Sequence, residues 1–434
     1  MNTNKILSYF WTNPPWRIQK YELIRDSLAH ALDPIANKRT LTDERIKQIF
    51  SLLHKNIGFT RNDYQQIIKL FRIVFHDAQP TNRWFLPLFA KALYSIDTQP
   101  FSKQVFEALC GTSQEKDPLK KTEIHHHSLQ KCPQENLLGL TQQISAKLHG
   151  GLKYFTFDPQ MQGNPAYISF VTNKCKVLHL GCPTRNAKVS EEFQAYISAL
   201  GKKNHIYINL QDGRPVRQKI KDLWMAGKFY EAIKIFIKMC VLLIGHERNR
   251  VIALQKFSTT HKNFILYSFE KNSSFYHQYG TPKKMPWKHF KQQFIHRMFE
   301  APNSGFILPP QKKEKFSHIL RQVKALFFPN KNKLTQDERK DFIEIAYTFF
   351  MADLIQGTKN VESCNLTCKE AVDRGATSNA LLFQLLSPKQ GNLDEITLFP
   401  ALWGRKRSME EEKWKRFHSA SKRIQNHSSL SQKI

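Results

Sequence analysis

The stretch NVESCNLTCKEAVDRGATSNALLFQLL, residues 360–386, decides our prediction of the fold. Asn360–Leu366 has the composition of a short strand, and an apolar helix is predicted to begin near Ala376. Gly375 permits a tight turn into that helix because it carries no side chain. A loop that runs from a strand into a helix N-terminus aims backbone N–H groups and the positive end of the helix dipole at an anion. The stretch therefore predicts an α/β unit with an anion-binding loop.

Strands and helices alternate along the second half of the chain, which predicts an α/β structure with a central sheet flanked by helices. Segments rich in aromatic and β-branched residues predict strands at residues 153–159, 166–171, 176–181, 205–210, 251–257 and 263–269. Helices are predicted at Ser190–Leu200, Phe316–Phe328 and Thr335–Leu354. The last of these opens with Thr335 and Glu338, a capping-box pair.

The chain is predicted to have four parts. Residues 1–110 carry apolar residues at helical spacing and predict an N-terminal helical region. Residues 111–145 are polar and contain proline, which predicts a linker or long loop. The alternating strands and helices occupy residues 146–420, and the basic residues 421–434 are predicted as a disordered tail.

The formal net charge of +30, from 66 Lys and Arg against 36 Asp and Glu, is the strongest signal in the composition. A surface this basic attracts polyanions, which include nucleic acid, anionic lipid headgroups and phosphorylated substrates. With 41% hydrophobic and 12% aromatic residues, the composition is that of a globular chain and not of an intrinsically disordered one. Composition therefore indicates a globular protein with an anionic partner.

The cysteines and the apolar runs indicate the compartment. Seven cysteines, odd in number and scattered, argue against a disulfide framework and for a reducing compartment. The N-terminal residues contain no apolar core of the kind that a Sec signal peptide needs. The apolar run Ile233–Ile244 is short and carries two lysines, so it is predicted to be a buried helix and not a membrane span. We therefore expect a soluble or peripheral protein.

Cys368 and Arg374 are separated by five residues in the loop that enters the predicted helix. Hydrolysis of a phosphate ester through cysteine requires a thiolate, because the thiol, with a pKa near ~8.5, is a poor nucleophile. It also requires convergent backbone N–H groups and a guanidinium that holds two phosphate oxygens at once. The spacing lets the chain wrap around one phosphate and return the Arg to it. The structural alternative is a buried Cys and an unrelated surface Arg.

The segment CKEAVDRG, residues 368–375, resembles the active-site loop of the protein-tyrosine-phosphatase superfamily, in particular its phosphoinositide and inositol-phosphate branches of the secreted bacterial effector type. The resemblance implies a tyrosine-phosphatase-like sheet within residues 146–420. It implies Cys368 as the nucleophile of a phosphocysteine intermediate and Arg374 as the ligand of the transferring phosphoryl group. Asp373 would be the general acid, or the base that activates water. No metal and no cofactor are implied.

The remaining loop residues are predicted to bind substrate. Lys369 would add a charge for a polyphosphorylated headgroup, and Glu370, Ala371, Val372 and Gly375 complete the loop. The predicted substrate is a phosphoinositide or an inositol phosphate, with a tyrosine or dual-specificity protein phosphatase as the alternative. The resemblance to effectors implies that the protein is cytoplasmic, or is exported into a host cytoplasm without a Sec signal.

Two positions depart from the pattern of that family. The usual Thr or Ser after the Arg is Gly375 here, with Thr377 two positions further on, and this bears on how fast a phosphocysteine would break down. No Trp-Pro-Asp acid loop precedes the Cys, so Asp373 is the simplest acid. The alternative role of Asp373 is structural, as an acceptor of backbone N–H bonds that hold the loop. Asp212 is a second candidate acid or, more simply, a turn residue.

A non-catalytic alternative is a basic protein that binds nucleic acid or an anionic membrane. Basic residues are interleaved with Trp403 and Trp414 in the segment 397–417, which suits a membrane surface or RNA. The structural alternative for this segment is an ordinary solvated helix face. Under the phosphatase hypothesis we expect a phosphorylated substrate and peripheral contact with an anionic membrane, and no nucleic acid.

Two further groups of residues have a functional and a structural interpretation. Cys364 could be a resolving thiol that forms a reversible disulfide with Cys368, or simply a packed residue of the sheet. His125–His127 and Cys132 could suggest a metal site, but they lack the spacing of metal ligands and predict a solvated loop.

Overall fold

The structure is a computed structural model. It describes residues 14–55, 58–77, 83–110, 158–185, 187–230, 232–233, 235–236, 246–386, 393–404 and 409–427. Within these ranges the chain is a mixed α/β protein with 15 α-helices and a central, mostly parallel sheet. None of the helices in the same ranges is long and apolar enough to cross a membrane.

The central sheet has five strands, and the segment before Cys368 lies in its middle. Its strands, in chain order, are β1 (Tyr167–Val171), β2 (Lys176–His179), β5 (Asn204–Asn209), β6 (Phe264–Ser268) and β9 (Val361–Thr367). Across the sheet the order is β1-β2-β9-β5-β6, with β1 antiparallel and the other four parallel. The carboxyl ends of β2, β9, β5 and β6 therefore share one edge. Two small hairpins pair β3 (Thr184–Arg185) with β4 (Lys188–Val189), and β7 (Lys284–Pro286) with β8 (Lys333–Thr335).

Helices cover both faces of this sheet. In the described N-terminal part they are α1 (Pro14–Ala36), α2 (Glu44–Leu53), α3 (Arg61–His76), α4 (Phe85–Leu93) and α5 (Gln99–Cys110). After residue 158 they are α6 (Glu191–Ala199), α7 (Val216–Met225), α8 (His246–Thr260), α9 (Ser274–His277), α10 (Trp287–Phe299), α11 (Lys313–Phe327), α12 (Gln336–Gln356), α13 (Arg374–Leu386), α14 (Leu393–Trp403) and α15 (Glu411–Gln425). A 3₁₀ turn, Pro310–Lys312, precedes α11.

Strand β9 separates two apolar cores, because its side chains alternate between the faces of the sheet. Cys364 and Cys368 lie in the core that the sheet shares with α10–α13 and α15. On the other face, Ser363 and Asn365 contact the two ring nitrogens of His205 at 2.8 and 2.7 Å. Burial lowers the pKa of His205 to about 4, so the ring is neutral and can donate one of these bonds and accept the other. Both ring nitrogens of His205 are thus paired at the centre of the sheet.

The N-terminal helices pack on the sheet and share the second core with β1, β2 and α6. Arg72 of α3 holds the two oxygens of Asp158 at 2.8 and 3.2 Å and contacts the carboxylate of Glu192 in α6. All three side chains are buried. Burial alone would lower the pKa of Arg72, but the charges of Glu192 and Asp158 raise it above its usual value. This ion cluster joins the helical region to the sheet.

Most elements predicted from the sequence are confirmed. Strands β1, β2, β5, β6 and β9 and helices α6, α11 and α12 lie where they were expected, and Thr335 and Glu338 form both bonds of the capping box. The strand predicted at residues 251–257 is wrong, because that segment lies inside α8. A short apolar run does not distinguish a strand from one side of a longer helix. Residues 153–157 of another predicted strand lie outside the described residues.

Two further predictions need correction. The disordered tail predicted from residue 421 is wrong at its start, because α15 continues to Gln425 and buries Ile424. The burial predicted for Ile233–Ile244 is wrong at Ile233 and Phe236, which are 48% and 51% exposed, and residues 234 and 237–244 lie outside the described residues. The predicted linker, residues 111–145, and residues 428–434 lie outside the described residues.

We predict that Arg72→Ala lowers the free energy of unfolding by about 3–5 kcal/mol, because Asp158 and Glu192 would remain buried without their counter-charge. Urea denaturation measures this loss. The matched control is Lys47→Ala, which removes an exposed ion pair with Glu44 and should cost less than ~1 kcal/mol. A loss for Arg72→Ala as small as that of the control would contradict this role of the cluster.

Candidate functional site

The Cys368–Arg374 loop lies over the carboxyl ends of the parallel strands. Cys368 follows directly after β9, and α13 begins at Arg374. Leu210, at the end of β5, donates its N–H to the carbonyl oxygen of Thr367 at 2.8 Å. Cys182, which follows β2, donates its N–H to the carbonyl oxygen of Lys369 at 3.0 Å. The two neighbouring strands therefore hold the loop from both sides.

The N-terminus of α13 supplies backbone donors at this loop. The N–H of Thr377 donates to the carbonyl oxygen of Asp373 at 3.0 Å, which is the first i to i−4 bond of the helix. Arg374, Gly375 and Ala376 precede it, in the turn where helix N–H groups have no acceptor within the helix. α13 is 13 residues long, so its dipole adds to these donors. The end of the helix is suited to an anion.

Gly375 is required by close packing inside the loop. A Cβ at this position would lie 3.0 Å from the Cβ of Ala371 and 3.0 Å from the carbonyl oxygen of Leu366. Ala371 itself has φ +59°, a left-handed conformation that is unfavourable for a residue with a side chain. A Thr or Ser at this position would therefore need these neighbours to shift by a few tenths of an ångström.

Arg374 is held at two points at the edge of the sheet. Its Nη1 donates to the carbonyl oxygen of Leu210 at 2.8 Å, and its Nη2 donates to Oε1 of Glu247 at 2.7 Å. Burial alone would lower the pKa of Arg374, but the charges of Glu247 and of a Cys368 thiolate raise it above its usual value. The guanidinium therefore stays charged, and it lies within electrostatic reach of the sulfur.

Glu247, at the start of α8, is the carboxylate partner of this guanidinium. Burial alone would raise the pKa of Glu247, but the positive charges of Arg374 and Lys219 hold it at about 2. The Oε2 of Glu247 also accepts the N–H of Asp212 at 3.0 Å. Asp212 in turn is buried and forms ion pairs with Arg214 at 2.9 Å and Lys219 at 3.3 Å. Asp212 thus has the structural turn role that was one of its two interpretations.

Asp373 connects the loop to the last described helix. Its Oδ1 accepts the backbone N–H of Glu410, directly before α15, at 3.0 Å. The side chain of Asp373 is buried. Asp373 therefore accepts a backbone N–H bond, as its alternative structural role requires. The role of Asp373 as general acid stays a prediction.

The other loop residues differ in what they can offer a ligand. The side chain of Lys369 is 47% exposed, with Nζ 3.9 Å from Oε1 of Glu370. Glu370, Ala371 and Val372 are buried, and the carbonyl oxygen of Glu370 accepts a 3.4 Å bond from Nδ2 of Asn164. Lys369 can therefore reach an anion in solution, whereas its three neighbours can contribute only backbone groups to a ligand above the loop.

A buried ammonium beneath α13 was missed by sequence reasoning. Lys271, after β6, donates to Oε2 of Glu344 at 2.5 Å and to Oγ of Ser378 at 2.8 Å. Burial lowers the pKa of Lys271, and the charge of Glu344 opposes that shift. Neither Lys271 nor Glu247 belongs to a motif, and both are more than 100 residues from Arg374 in the sequence. Only the fold brings them to the loop.

The segment predicted as a basic, Trp-containing surface is largely internal. Trp403 and Trp414 are buried, and Nε1 of Trp403 donates to the carbonyl oxygen of Pro165 at 3.0 Å. Lys413 and Arg416 are buried as well, and Nε of Arg416 lies 2.9 Å from Oε1 of Glu344. The prediction that these residues form a membrane surface is therefore wrong. The basic residues 405–408 lie outside the described residues.

Cys364 cannot act as a resolving thiol for Cys368. The two residues are four positions apart along an extended segment, which places their Cα atoms roughly 13 Å apart, whereas a disulfide needs less than ~7 Å. The Sγ of Cys364 instead lies 3.6 Å from the Sγ of Cys175. The prediction of a redox role with Cys368 is wrong because strand geometry separates the two sulfurs.

Comparison of the chain with protein-family models, curated proteins and solved structures returns no match. In the part of the chain that the structure describes, no group of three or more His, Cys, Asp and Glu side chains could hold a metal ion. His125–His127 and Cys132 lie outside that part. The chemistry of the site follows from its own residues and their geometry.

We predict that Gly375→Ala lowers the free energy of unfolding by about 1–3 kcal/mol, because the added methyl group overpacks the loop. Gly58→Ala is the matched control, since a Cβ at Gly58 would meet nothing within 4 Å. Urea denaturation of both variants measures the difference. Equal stability of the two would show that the loop has more room than the structure indicates.

We predict that Glu247→Gln removes a pH-dependent part of the stability. The pKa of Glu247 is about 2 in the folded protein, below its usual value of 4.5. Its contribution is complete above pH ~4.5 and is lost as the pH falls towards ~2. The shift corresponds to at most ~3 kcal/mol, and partial exposure of the side chain reduces this value.

The measurement is the difference in the free energy of unfolding between wild type and Glu247→Gln, followed from about pH 6 down to about pH 2. We expect this difference to shrink along the series. Glu44→Gln is the control, because the Glu44 side chain is largely exposed and its difference from wild type should stay small throughout. A difference for Glu247→Gln that does not change with pH would rule out the ionic role.

Proposed function

We propose that the protein is a cysteine-dependent phosphatase that hydrolyses phosphomonoesters, built on a tyrosine-phosphatase-like sheet. The observation that carries this proposal is the position of Cys368. It lies between the end of the central strand and the N-terminus of α13, with a positively charged Arg374 close enough for a Cys368 thiolate to raise the pKa of the guanidinium. Helix N-termini and adjacent cations stabilise a thiolate, and here they must outweigh burial, because Cys368 is 3% exposed and lies beside apolar side chains.

In the proposed reaction the thiolate of Cys368 attacks phosphorus. The S–P bond forms as the bond to the ester oxygen breaks, and the departing oxygen takes a proton from a general acid. Water then attacks the phosphocysteine, gives up a proton to the same group and releases inorganic phosphate and the thiolate. The N–H groups at the start of α13 and the guanidinium of Arg374 would bind the phosphoryl oxygens in both steps.

Arg374 uses one hydrogen of Nη1 for Leu210 and one of Nη2 for Glu247, so its remaining N–H groups are the ones that would bind the phosphate oxygens. Glu247 would then keep the guanidinium oriented in the free enzyme. Asp373 is the proposed acid because it lies within the loop, next to Arg374. The N–H bond that Asp373 accepts from Glu410 at 3.0 Å would hold the carboxyl group in place within the loop.

The proposed substrate is a phosphoinositide or an inositol phosphate in preference to phosphotyrosine. Lys369 is exposed beside the loop and suits a second phosphate group, and the net charge of +30 attracts polyanionic molecules. A cysteine nucleophile must stay reduced, so we propose a cytoplasm as the place of action, either that of the producing cell or that of a host.

We predict that Cys368→Ser and Arg374→Ala each lower phosphate release by roughly a thousandfold or more, as loss of a nucleophile does in other covalent enzymes. The substrates are phosphoinositide vesicles, soluble inositol phosphates and a phosphotyrosine peptide. Cys175→Ser is the control for loss of a buried thiol away from the loop and should retain activity. Phosphate release that survives Cys368→Ser would refute the mechanism, and an unchanged rate for Asp373→Asn would move the acid elsewhere.

The second candidate is a non-catalytic protein that binds nucleic acid or an anionic membrane through its basic residues. The engagement of Arg374 by Glu247 at 2.7 Å favours it, because the carboxylate offsets the positive charge of the guanidinium and so weakens its attraction for phosphate. Absence of phosphate release from every substrate, together with salt-sensitive RNA binding that Arg374→Ala leaves unchanged, would support this candidate.

A further inference from the structure

One surface of the protein is both apolar and exposed. Among the described residues, ten large hydrophobic side chains are exposed, and six of them lie between positions 224 and 236: Trp224, Met225, Phe229, Tyr230, Ile233 and Phe236. Their exposed fractions run from 48% to 71%. The rings of Trp224 and Phe229 meet edge to face with their centroids 4.9 Å apart. We call these six side chains the apolar surface.

A defined turn builds this surface. At the end of α7 the N–H of Lys228 donates to the carbonyl oxygen of Leu223 at 2.9 Å, and Gly227 adopts φ +71°. This pattern is a Schellman cap, which ends a helix and reverses the chain. It brings Phe229 back to Trp224, and Ala232, in the segment that follows, is buried. The exposed side chains therefore stand on a structured support.

The same segment carries positive charge. Arg217 and Lys221 are exposed on α7, and Nζ of Lys228 lies over the ring of Tyr279 at 4.8 Å. Aromatic residues with a polar tip, interleaved with Lys and Arg, are typical of surfaces that lie at the interface between a bilayer and water. The combination is complementary to an anionic lipid surface in both charge and polarity.

One side of this segment is connected directly to the candidate site. Nζ of Lys219, in α7, donates to the carbonyl oxygen of Asp212 at 3.2 Å. The N–H of Asp212 donates to Glu247, which binds Arg374. Two hydrogen-bonded steps therefore lead from α7 to the carboxylate that orients the guanidinium.

The other side reaches the loop through α15. A Cβ on Gly280 would lie 3.0 Å from Cα of Ala226, so these two backbones are in contact. Tyr279 stacks on His277 with centroids 5.0 Å apart, and Nε2 of His277 lies 3.4 Å from Nζ of Lys413. Lys413 belongs to α15, whose preceding residue Glu410 is bonded to Asp373. The apolar surface and the Cys368–Arg374 loop therefore belong to the same end of the sheet.

We propose that the apolar surface docks on an anionic lipid bilayer and so brings the Cys368–Arg374 loop to phosphate groups carried by lipid; only this second part rests on the proposed function. A second copy of the chain would have to bring two strongly basic molecules together, which their repulsion opposes. Nucleic acid can stack on Trp224 and Tyr230 but cannot bury Met225, Ile233 and Phe236. A bilayer accepts both the apolar and the basic groups.

The test is vesicle cosedimentation of the full chain carrying Cys368→Ser, so that binding is measured without turnover. We expect binding to vesicles of phosphatidylcholine with phosphatidylserine, weaker binding to phosphatidylcholine alone, and a decrease with added salt. Trp224→Ala combined with Phe229→Ala should lower the partition coefficient by roughly tenfold or more. The control is Ile73→Ala, which removes a side chain that is 45% exposed on α3 and should leave binding unchanged.

A second readout locates the contact. Lipids brominated in the acyl chain should quench tryptophan fluorescence of the Cys368→Ser protein, and Trp224→Phe should remove most of that quenching. Equal binding to both vesicle types, or equal partitioning of the double variant and the control, would overturn the proposal. So would a dimer in light scattering that Trp224→Ala dissociates, or RNA binding that requires the six residues.

The outcomes separate docking from catalysis. Vesicle binding by Cys368→Ser with no phosphate release by the wild type would support the docking proposal and contradict the proposed phosphatase activity. Release of phosphate from soluble inositol phosphates by a wild type that does not bind vesicles would support the proposed phosphatase activity and contradict the docking proposal.

Discussion

The carboxyl edge of the sheet depends on the pairing of one guanidinium, that of Arg374, whose side chain is 12% exposed. Arg374 begins α13, and its bonds to Leu210 and Glu247 connect that helix to the end of β5 and the start of α8. A buried charge that loses its partner costs several kcal/mol, so these elements must keep their positions relative to one another. The pairing is what allows the loop between Cys368 and Arg374 to have one conformation at the end of the central strand.

The same constraint applies to other cations that the fold buries. Lys271 and Arg416 share the carboxylate of Glu344, and Arg214 is enclosed by acidic side chains that include Asp212. These cations are buried and serve the fold. Because these cations are buried together with carboxylates, their burial leaves the net charge of +30 nearly unchanged and decides only which basic residues a partner meets. The segment with Trp403 and Trp414 is one example, because Lys413 and Arg416 are buried there with the two Trp side chains.

The apolar segment after α7 is exposed where its composition predicts burial. Its composition is that of a core helix, yet Ile233 and Phe236 are exposed. Exposure of one apolar residue needs no explanation, whereas six exposed apolar side chains between positions 224 and 236 are the kind of group that interaction surfaces contain. Burial is decided by which elements meet across the fold, and hydrophobicity along the chain only limits the choice.

The sequence by itself determined the local elements. The alternation around Cys364 and Leu366, the capping box at Thr335 and the spacing of Cys368 and Arg374 depend on residues a few positions apart, and so can be recognised in one dimension. The tertiary structure alone decided the helical state of residues 251–257, the contact between the thiols of Cys364 and Cys175, and the ion pair between Glu247 and Arg374. These depend on contacts between distant parts of the chain, whose geometry no local pattern encodes.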